Sequence, residues 1–135
     1  MAQRPESVDP GARAPGYARA QRHRLAFVPR RVRVEVRAGE TAVADTDDVV
    51  QLEETKYPVR HYLAREGVDM SRLERTDTVT FCPFKGLATY YVVRGEDGAV
   101  TDAAWSYEQP YLEAELLRDR LCFDAAALST TVHEP

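Results

Sequence analysis

A chain of 135 residues has room for one hydrophobic core, since domains typically hold about 100–150 residues. Its 44% apolar and 30% charged residues match ordinary globular usage, and no apolar run approaches the roughly 18–20 residues of a membrane helix, which excludes a helical membrane protein. The formal charge of −4 hides an asymmetry, because residues 1–31 carry seven Arg against only Glu6 and Asp9 and leave the body acidic.

Met1 to Val28 has scattered arginines with Pro5, Pro10 and Pro15 where an export signal would have an apolar centre, so a cytoplasmic location is expected. Residues 1–27 show neither helical nor strand periodicity and too little apolar surface to offset chain ordering, which predicts a disordered basic arm before a single domain over 28–135. Such an arm either contacts a polyanion or rests on its own acidic body. It lacks interleaved aromatics and a tight Arg cluster, so nucleic acid is not the expected partner. Cys82 and Cys122 are the only cysteines, and with His23, His61 and His133 scattered and no CxxC pair, no metal or other cofactor is expected. In a reducing compartment both thiols stay free.

From Val28 the pattern changes. Val28, Val32, Val34 and Val36 share one parity and Arg31, Arg33, Glu35 and Arg37 the other, the mark of a half-buried strand. Ala38-Gly39-Glu40 predicts a hairpin turn, Thr41–Asp45 a returning strand, Asp45-Thr46-Asp47-Asp48 a second turn and Val49–Glu54 a third strand, together a three-stranded meander. Tyr57–Leu63 reads as a short strand that Pro58 confines to an edge. Asp69 can cap one helical turn through Leu73. Thr76–Cys82 and Ala88–Arg94 flank a tight Pro83-Phe84-Lys85-Gly86 corner, and Gly95-Glu96-Asp97-Gly98 turns the chain into Val100–Tyr107. Leu112, Leu116 and Leu117 fit a brief amphipathic helix, Arg120–Phe123 resumes as a strand and Asp124–Leu128 as a turn. With no βαβ alternation, the class is mainly antiparallel β with short helical turns.

The informative stretch runs from Thr78 to Tyr107. On the first strand Val79 and Phe81 point one way and Thr78, Thr80 and Cys82 the other, while Trp105 and Tyr107 share a face on the last strand and Tyr90 lies between. Two rings with polar tips suit a flat ligand, although a lone Trp also serves as a core anchor. A thiol three residues before a lysine at a glycine turn, Cys82 and Lys85, could form a nucleophilic or redox centre; the plain alternative is a packed cysteine and a surface ion pair. Glu54, Arg60, His61, Tyr62, Arg65 and Glu66 form a second polar group able to hold an anionic or heterocyclic ligand, or simply a surface network.

These residues resemble the bacterial and fungal family of domain of unknown function 427. Glu54-Thr55, Pro58, Tyr62, Arg65-Glu66 and Val68 resemble its first block, and Cys82-Pro83-Phe84-Lys85-Gly86 with Ala88 and Tyr90-Tyr91 its second. Ala103-Ala104-Trp105-Ser106-Tyr107 with Pro110 and Phe123 resembles its third, so the likeness spans about residues 30–125. Ala64 and Gly67 stand where the family usually has Pro and Asp. The resemblance implies a β-tent (Mss4-like) arrangement of two small antiparallel sheets with a groove where they meet. Related folds often hold zinc through paired cysteines, which this chain lacks. A nucleotidyltransferase label sometimes travels with the family, but no paired-carboxylate motif at a Gly-Ser turn supports it here.

Three functions stay open at this point. The first is binding of a small polar or heterocyclic ligand in a groove lined by Tyr62, Cys82, Lys85, Trp105 and Tyr107, with Glu54, Arg60, Arg65, Thr80 and Tyr90 as further contacts. The second is a thiol-dependent enzyme using Cys82 and Lys85. The third is a protein-interaction module, or a homodimer formed through sheet edges.

Overall fold

The computed structural model describes residues 4–134. Strands β1 (Leu25–Ala38), β2 (Thr41–Glu54), β3 (Arg60–Leu63), β4 (Leu73–Cys82), β5 (Gly86–Arg94), β6 (Ala99–Pro110), β7 (Cys122–Phe123) and β8 (Leu128–His133) dominate it. They form two four-stranded sheets, β3-β2-β1-β8 and β4-β5-β6-β7, with every strand pair antiparallel. The class is mainly β, as the alternation predicts.

The predicted meander is instead one long hairpin, because Asp45 to Asp48 do not turn. They stay in β2, where Asp45 lies opposite Glu35 and Asp48 opposite Arg31. Asp47 and Asp45 pair with Arg31 and Arg33 of β1, so the acidic run that reads as a turn is a neutralised strand face. The register slips between Arg31 and Val34, a bulge that reverses which parity faces inward. Before it Leu25 and Phe27 pack inward; after it Val32, Val34 and Val36 are buried. Val28, expected on the core face, is therefore exposed.

The two sheets meet over two apolar clusters. In the larger, Val34, Val36, Val49 and Leu63 face Tyr91, Val93, Ala104 and Leu121. In the smaller, Val50, Leu52 and Tyr62 face Ala88, Tyr107, Leu117 and Cys122. Val49 and Val50 are neighbours buried in different clusters, so β2 is covered on both faces. Leu63 and Leu121 exchange backbone hydrogen bonds of 2.8 and 3.0 Å and join β3 to the second sheet.

The helical segments are short. Asp69 accepts from the Ser71 N–H and caps a 3-10 turn, Met70–Arg72, where a capped turn is expected. The Leu112–Leu117 segment is also 3-10, with Leu117 fully buried while Leu112 and Leu116 stay exposed. Leu128–His133, which follows the expected Asp124–Leu128 turn and carries no strand expectation, adds β8 to the free edge of β1.

Residues 4–24, expected to be without fixed structure, run as a strap over the outer face of β4 and β5. Val8 and Ala14 are buried with Leu87 and Tyr111, and Val79 and Phe81 pack against them. Backbone N–H groups of Val8 and Ala14 donate to Gln109 and Glu113 at 2.9 Å, and Gly16 donates to the Pro83 carbonyl at 3.0 Å. The arm holds few apolar residues, but the parity of β4 turns Val79 and Phe81 outward and gives them something to cover.

Candidate functional site

The parity that packs the partly buried Val79 and Phe81 against the strap turns Thr80 and Cys82 to the other side of β4. Register sets Ala88 beside Thr80, Trp105 beside Tyr90 and Tyr107 beside Ala88, so the three strands carry a continuous polar and aromatic face. Tyr62 and Arg60 come from β3 and Glu54 from the end of β2. Together these line a groove of about 620 Å³, with the Cys82–Lys85 corner at one end and Arg60 in its wall. Glu54, Arg60, Tyr62, Thr80, Cys82, Lys85, Tyr90, Trp105 and Tyr107 all meet there.

The corner depends on a glycine. Lys85 N–H donates to the Cys82 carbonyl at 3.2 Å and Tyr111 N–H to the Lys85 carbonyl at 2.9 Å, pressing the loop onto the end of β6. Gly86 sits there at φ +119°, where a Cβ would lie 2.5 Å from the Gln109 carbonyl oxygen. This close approach turns Lys85 inward, where its ammonium donates to Glu54 Oε1 at 2.9 Å and lies 5.7 Å from the Tyr107 ring centre. His23 Nε2 meets Glu54 Oε2 at 2.7 Å. Only 8% of the Glu54 side chain and 11% of the Lys85 side chain are exposed, so the pair is held almost out of water.

At the other end the Trp105 indole N–H donates to the Tyr62 hydroxyl at 3.1 Å. The Arg60 guanidinium, bound to Asp124 at 2.8 Å, stands 5.4 Å over the indole ring. Tyr90 tilts against Trp105 at 6.0 Å between ring centres and shares a 3.1 Å hydrogen bond with Thr80. Burial raises the Tyr62 and Tyr107 hydroxyls well above the usual tyrosine range, so both remain protonated.

Arg65, expected as a ligand contact, lies outside the groove, as do Glu66 and His61 of the same polar group. The Arg65 guanidinium holds Glu108 at 3.0 Å, the Ser106 hydroxyl at 3.1 Å and the Asp119 carbonyl at 2.8 Å, a local clasp around the end of β6. Burial pushes the Glu108 carboxyl up, but the Tyr91 hydroxyl and the Arg75 and Arg65 guanidinium groups outweigh it and hold Glu108 below the usual range. Nearby Gly67 fits against Thr46, whose Cβ would lie 2.4 Å from an added Cβ. His61 faces a different, smaller cavity of about 210 Å³, and burial lowers its ring below the usual histidine range.

His23, Tyr57 and Phe84 also line the groove and were not expected there. No local pattern marks His23, since it lies in the stretch read as an arm. Backbone pairing of Arg24 with Thr55 brings it in, with the Thr55 N–H donating to the Arg24 carbonyl at 3.0 Å.

The thiols differ sharply. Cys122 lies in the smaller core cluster, where burial pushes its thiol up to about 12; Cys82 is partly exposed in the groove. Iodoacetamide is expected to modify Cys82 in the native protein and Cys122 only after denaturation, as peptide mass spectrometry would show. Lys85 gives its ammonium to Glu54, and among the described residues it makes no hydrogen bond to the Cys82 sulfur. A zinc centre of the kind related folds carry does not fit, because Cys122 is in the core and no three His, Cys, Asp or Glu side chains converge among the described residues.

This geometry defines a small two-sheet β domain with a polar, aromatic-walled groove at the junction of its sheets. A family model described as domain of unknown function (DUF427) matches residues 26–134, and the chain belongs to that family. No curated protein matches it. The strap, with His23, lies before the matched region. No helix among the described residues is long and apolar enough to cross a membrane.

Proposed function

We propose that the groove binds a small polar or heterocyclic molecule, stacked on Trp105 and hydrogen-bonded by the groups around Glu54 and Lys85. The carrying observation is the Lys85–Glu54–His23 contact at the floor of an open groove. A nearly buried ion pair contributes little net stability over apolar packing, and strongly desolvated charges concentrate at functional sites. Its size supports the same reading, since small-molecule sites span about 300–1,000 Å³ with mostly aromatic and apolar walls and a few placed polar groups. Trp105 is the only tryptophan, so its fluorescence reports on the groove directly. A ligand found by thermal-shift screening of a metabolite panel is expected to quench that fluorescence, and Trp105→Ala, shown folded by circular dichroism, is expected to lose the shift. A panel that leaves the melting curve and the fluorescence unchanged would count against binding.

A thiol-dependent reaction is the second reading, favoured by Cys82 standing partly exposed in the groove wall. It requires an activating group other than Lys85. Cys82→Ser leaves ligand binding intact under the first reading and abolishes turnover under the second, so the two separate cleanly once a ligand is in hand.

A further inference from the structure

Most of the chain's 18 Lys and Arg are ion-paired, including the whole row Arg30, Arg31, Arg33 and Arg37 on β1. Among the described residues the exceptions are Arg4, Arg19, Arg22, Arg24 and Lys56. Arg4 gives its guanidinium to the Val79 carbonyl at 2.8 Å. The other four are exposed: Arg19 lines a different cavity with Pro15 and Tyr111, while Arg22 and Arg24 flank His23, Lys56 precedes Tyr57, and the Arg24–Thr55 backbone pairing joins those two segments. His23 and Tyr57 both line the groove, so three of the unpaired cations among the described residues, Arg22, Arg24 and Lys56, are chain neighbours of its lining.

Inside the groove the balance is different. Lys85 is neutralised by Glu54 and Arg60 by Asp124, so neither offers net charge to an incoming group. An acidic body repels anions in general, whereas unpaired cations at the lip of a low-dielectric cleft focus the field and draw an anion to it. The walls behind that lip are aromatic.

We propose that the ligand is an organic anion, with a planar ring inserted against Trp105 and Tyr62 and a carboxylate or phosphate left at the rim between Arg22, Arg24 and Lys56. This rests on the groove reading above and narrows it. It also gives the basic arm a purpose, because the strap brings the cations to the rim and His23 ties them to Glu54.

The test uses the full chain and three matched probes: 2-naphthoate, 2-naphthyl phosphate and neutral 2-naphthamide. Each is titrated against the single tryptophan indole N–H signal in a proton–nitrogen NMR spectrum. Both anions are expected to bind about tenfold more tightly than the amide at low salt, on the order of what a few exposed charge contacts supply. At about 1 M salt, where screening acts over roughly 3 Å, the difference is expected to vanish. The variant R22Q/R24Q/K56Q changes only exposed side chains and is expected to bring the anions to the amide's affinity while leaving the amide unchanged. Equal binding of amide and anions, or full anion affinity in that variant, would overturn the anion assignment and leave the groove reading standing. Failure of all three probes to move the indole signal counts against both. A single-stranded oligonucleotide that binds through the same cations without moving the indole signal would make them a surface for polyanions and overturn the proposal.

Discussion

Replacing Gly86 with alanine is expected to destabilise the fold by about 3–5 kcal/mol, adding the strain of a non-glycine residue at positive φ to an overpacked contact. The added methyl would meet the Gln109 carbonyl oxygen at 2.5 Å, and that oxygen belongs to backbone at the end of β6 and cannot swing aside. Relief requires the Cys82–Gly86 corner to lift, which withdraws Lys85 from Glu54. Gly98 supplies the control, having φ +141° with nothing within 4 Å of an added Cβ. Gly98→Ala carries the backbone strain alone and is expected to cost about 1–2 kcal/mol. Urea unfolding followed by circular dichroism measures both, and equal losses would show that the close approach at Gly86 contributes nothing. Against a typical stability of about 5–15 kcal/mol, the Gly86 variant stands near the edge of folding.

The second large effect concerns Glu54. Both of its oxygens are engaged, one by Lys85 at 2.9 Å and the other by His23 at 2.7 Å, with only 8% of the side chain exposed. Glu54→Gln strands the Lys85 ammonium, and breaking such a buried pair costs about 3–5 kcal/mol. Lys85→Met is expected to cost less, because His23 still meets the carboxylate. The double variant E54Q/K85M is expected to recover most of the loss, since no isolated charge remains; a coupling of about 2 kcal/mol by double-mutant cycle is the signature. Additive losses would mean that the two groups do not meet in solution.

Much of the groove is visible in the sequence because it rests on strand parity. Alternation along Thr78–Cys82 separates Val79 and Phe81 from Thr80 and Cys82, and the turns at Gly86 and at Gly95–Gly98 bring Tyr90, Trp105 and Tyr107 alongside. What escapes a linear reading depends on pairing between distant segments. The β1 bulge, which exposes Val28, exists only opposite β2, and the acid run from Asp45 to Asp48 is a strand only because Arg31 and Arg33 lie across from it. Strand β8 is polar at Ser129, Thr130 and Thr131 because it forms an edge with little to bury. Arg65 sits in a motif beside groove residues, yet the 3-10 turn that begins at Arg65 sends it to Glu108. His23 is set by the Arg24–Thr55 pairing, across a separation of 31 residues, and no local pattern carries that information.

The strap has a further consequence for how the molecule is made. Val8 and Ala14 are fastened by Gln109 and Glu113, partners 101 and 99 residues later in the chain. A ribosome building the protein from its amino end releases the strap long before its docking surface exists, and N-terminal segments otherwise fold first during synthesis. Until β6 and the 3-10 segment after it emerge, Val79, Phe81 and Leu87 lack their cover, so the nascent chain presents an apolar strand face to its surroundings. Seating of Val8 and Ala14 is therefore a late event in biogenesis, whereas the partners that place His23, Glu54 and Thr55, are made as soon as β2 is complete.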